Sequence, residues 1–362
     1  MRIKSKVKKA VSAVLAAAMV VVASGCSAPV AKQEQTAGTT VEASKATEGE
    51  KDEKLKVAML FPGPVNDASF NQSSYKGLTE AEKEYPVETA YSENVGAADM
   101  VSTMRSYCDT DYKLIILVGF DFADAMKEVA PNYPDVRFAI INGEGEGDNV
   151  SGYRFNTPET GFIAGALAAL VTKNNKVGYI AGQQFTHVED AVNGFIAGAM
   201  YANPDIKEED VMTSYLDSWT DTVKGKETAL SYIEKGVDAI CTNANAVGLG
   251  VIATCEENDV TAIGYIADQH EVAPNTVPVS AIQDGGAVVK IIIGSQLDGT
   301  IQSGLNLLGA AQGVISYTQW YDSEKQEISQ DVKDKMEEIY AKIQDGSLLK
   351  DGILPKSAFD AN

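Results

Sequence analysis

Short, largely apolar runs recur along this chain, and a longer stretch with helical periodicity follows most of them. The runs lie at 56–60, 114–118, 138–141, 176–180, 239–241 and 262–265, and the spacing predicts helices over 71–85, 123–132, 160–172, 188–202, 223–235 and 247–258. A strand that is apolar throughout must be covered on both faces, and strands that alternate with helices pair in parallel because each helix carries the chain back to its starting edge. The expected fold class is therefore α/β with parallel sheets. Ligands of such sheets sit beyond the C-terminal ends of the strands. Function is to be sought there.

The N-terminus is of another kind. Arg2, Lys4, Lys6, Lys8 and Lys9 precede an apolar run over 10–23, and Ala23-Ser24-Gly25-Cys26 follows at once. A basic segment, a short apolar segment and small residues before a cut read as a secretory signal over 1–25; spanning a bilayer of about 30 Å would take roughly 20 apolar residues. The small-residue box ends on Cys26 and resembles a lipobox, with Ala23 where Leu is commoner, so Cys26 is expected to carry lipid. The alternative is an ordinary signal with a chance cysteine. Residues 27–54 contain no aromatic residue, Leu or Ile, and cannot bury enough apolar surface to offset their ordering entropy. The segment 26–54 is thus expected to be a lipidated cysteine and tether, placing the body outside the membrane. Removing the signal leaves 25 basic against 51 acidic residues, a net charge of −26. Nucleic acid, which needs a basic patch, is not an expected partner.

The body from about residue 55 is long enough for two domains. Its cysteines, Cys108, Cys241 and Cys255, are odd in number and lack metal-ligand spacing, so they read as small hydrophobes and no metal is expected. The strand ends are richer. Phe61-Pro62-Gly63-Pro64-Val65-Asn66-Asp67-Ala68-Ser69-Phe70-Asn71-Gln72 follows the first run, and Gly119-Phe120-Asp121-Phe122-Ala123-Asp124-Ala125 follows the second. Farther on come Asp217-Ser218-Trp219-Thr220-Asp221, Val247-Gly248-Leu249-Gly250 and Gly264-Tyr265-Ile266-Ala267-Asp268. Aromatic faces and carboxylate or carboxamide edges at the mouths of strands suit a planar ligand with a polar rim. The simpler alternative is that Asp67, Asp124 and Asp221 cap helices.

Taken in order, N-D-x-S-F-N-Q at 66–72, G-F-x-F-A-D-A at 119–125, P-D-V-R-F-A at 134–139, G-F-I-A-G at 161–165, N-P-D at 203–205, T-D-x-x-K-G-K-E at 220–227 and G-L-G-V at 248–251 resemble the basic membrane protein (PnrA-like) family of substrate-binding lipoproteins. The likeness covers residues 56–348. It implies a type I periplasmic-binding fold, with two parallel-sheet lobes joined by three crossovers and closing on a ligand. The lobes are expected at 55–155 with 279–303, and at 156–278 with 304–350. The resemblance further implies an ABC permease as partner, a purine base or nucleoside as ligand, and no cofactor. By it, Phe70 and Trp219 would sandwich the ring and Asp67 and Asn71 would read its edge. Phe120, Asp121, Gly248 and Asp268 would line the cleft. Nucleoside-binding members carry Asp, Asp and Lys where this chain has Phe61, Ile266 and Gln283. Each departure falls on the expected sugar side, and an unpaired hydroxyl in a closed cleft costs about 1–3 kcal/mol. The Gly63-Pro64-Val65 turn resembles that of members that bind free adenine.

Enzymes fit less well. Gly143-Glu144-Gly145-Glu146-Gly147 lacks dinucleotide-binding spacing, and His187 and His270 stand in no triad-like or metal-like context. The expectation is a binding protein without catalytic residues. A sensor lipoprotein for another ligand, or a nucleosidase using carboxylates such as Asp67 and Asp121, is the alternative.

Overall fold

A computed structural model of the protein describes residues 54–66, 70–323 and 327–360. The expected signal peptide, Cys26, all of the tether but residue 54, and Asp67 lie outside the described residues. The body opens with β1 (Leu55–Leu60), α1 (Phe70–Glu84), β2 (Val87–Ser92), α2 (Met100–Asp109), β3 (Leu114–Val118), α3 (Ala123–Val129), β4 (Arg137–Ile141) and β5 (Val150–Phe155). A second series follows: α4 (Thr157–Val171), β6 (Val177–Ala181), α5 (Thr186–Ala202), β7 (Val211–Tyr215), α6 (Thr222–Glu234), β8 (Ala239–Asn243), α7 (Asn245–Glu257), β9 (Thr261–Ile266) and β10 (Ser280–Gln283). The chain ends with α8 (Gly285–Leu297), β11 (Gly304–Leu308), β12 (Ile315–Tyr317), α9 (Gln330–Gln344) and α10 (Ser347–Lys350).

Two six-stranded sheets result, ordered β11-β5-β4-β3-β1-β2 and β12-β10-β9-β8-β6-β7. Apart from the antiparallel β10–β12 pair, the strands of both sheets pair in parallel. The expected α/β architecture stands. β3, all apolar, shows why: Leu114, Ile116 and Val118 join the core beneath α1 and α8, while Ile115 and Leu117 pack with Met104 of α2 and Met126 of α3. In the second sheet Tyr179 and Cys241 face the α4–α5 layer, and Ile180 and Ile240 face Ala229 of α6 and Val251 of α7. The three body cysteines are buried and unpaired. Burial pushes the thiols up, Cys108 to about 11 and Cys255 to about 12. They behave as apolar filling.

The chain crosses between sheets three times, after β5, after β10 and after β11. These positions differ from the expected boundaries at 279 and 303. β10 belongs to the second sheet because it pairs with β9, and β11 belongs to the first because it pairs with β5 from Gly304↔Ser151 to Leu308↔Phe155. Between them α8 lies on α1, where Gly77 and Gly286 approach so closely that a Cβ on either would meet the other's backbone. Two crossovers are bound together by Glu159, only 8 % exposed. Its carboxylate accepts from the Ala310 N–H at 2.6 Å and the Asn156 amide at 2.8 Å. Burial raises its pKa, and these two donors oppose the rise.

α4 and α5 pack closely through glycines on both helices. Gly161 and Gly165 on one helix face Ala191 and Phe195 of the other, and Gly194 and Gly198 face Pro158 and Phe162 in return. At each glycine an added Cβ would run into a backbone carbonyl oxygen of the opposite helix. Small residues four apart on both helices are what permit this contact.

Candidate functional site

A cleft of about 610 Å³ opens where C-terminal strand ends of the two sheets meet. The first sheet contributes Phe120 after β3, Asn142 after β4, and Arg154 and Phe155 at the end of β5. Thr157 joins from the first crossover. From the second sheet come Phe185, Thr186 and His187 after β6, Trp219 after β7, and Asn243, Ile266 and Gln283 at the ends of β8, β9 and β10. Phe359, close to the C-terminus, completes the wall. Among the described lining residues there is no carboxylate.

Backbone conformation sets several of these groups. Gly119 takes φ 104° and turns the chain so that Phe120 stands 67 % exposed at the mouth. Asn142 takes φ 62°, a left-handed geometry that asparagine tolerates. Ile266 takes φ 73°, where a β-branched residue is strained by about 1–3 kcal/mol. Trp219 lies over Gly182, and any Cβ there would collide with the indole. Its ring runs nearly parallel to that of Phe185, with centroids 6.5 Å apart, and Phe185 in turn stacks on His187 at 5.9 Å. Burial, helped by the Arg154 charge and opposed by Asp190, holds the His187 pKa below its ordinary value. The shift favours the neutral ring, which donates from one nitrogen and accepts at the other. Gln283 donates to the Thr160 hydroxyl at 3.1 Å.

The structure brings together Phe120, Trp219 and Gln283 of the expected site residues, with Ile266 beside them. Phe70 stands one layer behind, its ring edge-on to that of Phe155 at 6.1 Å. Phe61 is fully buried in the core against Tyr75 and Tyr91, because the strand it extends places that face under α1. Asn71 donates to the Pro64 carbonyl at 3.3 Å. Asp121 is exposed in the turn after β3. Gly248 is buried within α7, where a Cβ would press on Thr242. Asp268 is exposed and accepts from the Tyr321 hydroxyl at 2.6 Å and the His270 N–H at 3.0 Å. Asp221 caps α6 by accepting from the Lys224 N–H at 3.1 Å, which is the simpler role weighed for it.

Sequence reasoning passed over Asn142, Phe185 and Thr186, and weighed His187 only as a catalytic or metal-binding group, although each follows a run that it recognised as a strand. The strand-end rule applied after 138–141 and 176–180 finds them. Arg154 and Phe155 end a strand whose Ser151 and Gly152 interrupt the apolar run. Phe359 reaches the cleft through tertiary contacts alone. Among the described residues no three His, Cys, Asp or Glu side chains gather as metal ligands would, and no helix is long and apolar enough to cross a membrane.

Residues 54–350 match the family model described as ABC transporter substrate-binding protein PnrA-like. The chain is 32 % identical to the transcriptional activator protein Med of Bacillus subtilis, over 72 % of this chain and 80 % of that one. It is 32 % identical to the ABC transporter nucleoside-binding protein BmpA of Lactococcus lactis, over 74 % and 82 %. A purine-binding protein of Brucella abortus is 29 % identical over 82 % and 83 %. Among solved structures, an ABC transporter solute-binding protein of Aeropyrum pernix superposes with a TM-score of 0.66 at 24 % identity, over 81 % of this chain and 92 % of that one.

Proposed function

The chain belongs to the PnrA-like family of ABC transporter substrate-binding proteins, and from that premise we propose that it is a lipid-anchored, extracytoplasmic receptor that captures a purine base or nucleoside between its lobes and delivers it to an ABC permease. The observation that carries this reading is the cleft itself. Aromatic side chains from both lobes, Phe120 and Phe155 on one side and Phe185 and Trp219 on the other, meet around one space at the strand ends. A planar ligand gains its second stacking face only when the lobes close, so its binding shifts the population toward the closed form. Phe70 acts by backing Phe155, and Asp67 and Asn71 read the ring edge. Names of two relatives, a nucleoside-binding and a purine-binding protein, support the ligand class. A transcriptional activator is also among the relatives, but a net charge of −21 is opposite to the basic footprint that DNA binding uses. The cleft performs no chemistry in this reading and serves capture alone.

Calorimetry of the purified mature protein with adenine, hypoxanthine, adenosine and inosine tests the ligand class. The free bases are expected to bind at least as tightly as their nucleosides, because Ile266 offers no acceptor for a ribose hydroxyl and Phe61 is buried away from the cleft. A tenfold preference for nucleosides would show that another group holds the sugar. Heatless titrations with all four would remove the purine reading.

Anchoring is tested separately. One acyl chain gives marginal membrane affinity, and stable attachment takes more than one, so Cys26 is expected to bear a diacylglyceryl group. Cys26→Ser should leave uncut precursor or release the protein into the medium, as seen by fractionation and immunoblotting. Processed mutant protein that still partitions with membranes would refute the anchor.

A further inference from the structure

Arg154 stands apart from its surroundings. In a chain with 51 acidic and 30 basic residues, it is the one permanently charged side chain among the described residues lining the cleft. Its Nε is buried without a hydrogen-bond partner, and so is the hydroxyl of Thr157 three residues on, itself only 8 % exposed. Buried polar groups in folded proteins are almost always paired, and both of these line the cleft. A ligand placed there would supply the missing partner.

The guanidinium is also held in a fixed attitude. Its centre lies 4.1 Å from the ring centroid of Phe359, which covers one face. The tail carrying that ring is pinned by the buried Asp190 of α5, whose carboxylate accepts from the Ser357 hydroxyl at 2.8 Å and the Ala358 N–H at 2.9 Å. Phe359 in turn donates its own N–H to the Ser357 hydroxyl at 3.2 Å. The Phe359 ring lies against the guanidinium without taking up its N–H donors. One of them, on Nη2, approaches Glu144 at 3.6 Å.

We propose that Arg154, steadied by Phe359 of the C-terminal tail, is the specificity-determining residue of the cleft and selects oxopurines over aminopurines by donating to their carbonyl oxygen and neighbouring ring nitrogen. Arginine presents donors and no acceptor, in a planar fork that matches these two acceptors. On an aminopurine the same edge carries an amino group. Two donors then face each other and the fork loses one bond. This inference rests on the purine reading of the cleft, and goes beyond it in naming the edge that is read.

The test is calorimetry of the full mature chain with hypoxanthine and adenine, repeated for Arg154→Met, Arg154→Lys and Phe359→Ala, with thermal melting to confirm that each variant folds. The native protein is expected to bind hypoxanthine at least about tenfold more tightly than adenine. Arg154→Met should abolish that preference, bringing the hypoxanthine and adenine affinities within about threefold of each other. Arg154→Lys keeps the charge without the fork and should lose most of the preference, and Phe359→Ala should reduce it as well, each read as the ratio of the two affinities. Equal losses for both bases in the Arg154 variants, or a native preference for adenine, would overturn the assignment while the purine reading stands. Absence of heat with either base would bring down both, and is told apart from the former because no binding is then measured at all.

Discussion

Trp219→Ala is expected to weaken binding of the preferred purine by about ten- to a hundredfold. Stacking of a base on an aromatic side chain is worth about 1–3 kcal/mol, and each 1.4 kcal/mol is a factor of ten. The indole lies against Gly182, where only a hydrogen can be accommodated, and parallel to Phe185. It is therefore placed in advance, and its loss removes a wall that no neighbour can rebuild. Trp219→Phe should retain most of the affinity, since a smaller ring still offers a face. Titration calorimetry measures both, and the melting temperature should move little because Trp219 is only partly buried. An unchanged dissociation constant in the alanine variant would place the ligand elsewhere.

Gly165→Ala should destabilise the protein by about 3 kcal/mol or more in denaturant titration. Overpacking a close contact costs typically 1–3 kcal/mol and occasionally more. Here the added methyl would meet the carbonyl oxygen of Phe195, which belongs to rigid helix backbone and cannot rotate away. The helices would have to separate, and the reciprocal contacts of Gly194 and Gly198 with Pro158 and Phe162 would loosen with them. Gly96→Ala is the control. Nothing lies within 4 Å of the position its Cβ would take, so stability should be unaltered. If the two variants melt alike, the helix contact is softer than described.

The central strands are legible in the sequence because burial on both faces forces a continuous apolar run, as in Leu114–Val118. Edge strands are not. β2, Val-Glu-Thr-Ala-Tyr-Ser, and β7, Val-Met-Thr-Ser-Tyr, are only partly buried and carry the polar residues that an outer strand can tolerate. α9 is not among the predicted helices, although the spacing of Met336, Ile339 and Ile343, its buried residues, carries the helical period. At the site, Gln283 is reached through the family resemblance alone, whereas strand-end logic reaches Phe120 and Trp219 and extends to Phe185 and His187. It fails for Phe61, since an aromatic that ends a strand looks the same in sequence whether it enters a core or a cleft. Phe359 is beyond such reasoning altogether. Its place depends on Asp190, 168 residues from the Ala358 that it holds, and no local pattern encodes that pairing.

The threefold exchange of chain between the sheets has a consequence for the order in which the protein can be made. β1 through β5 emerge first, yet their sheet gains its outermost strand only with Gly304–Leu308, and α1 must wait for α8 at Gly285–Leu297 to cover its glycine face. Contacts between segments so far apart close slowly. A nascent chain that has not reached residue 308 lacks the parts to finish its first lobe, however long it is given. For a protein whose proposed place of work lies across a membrane, that delay is useful: the polymer stays loose enough to be threaded, and the ligand cleft forms only once nearly the whole length has arrived.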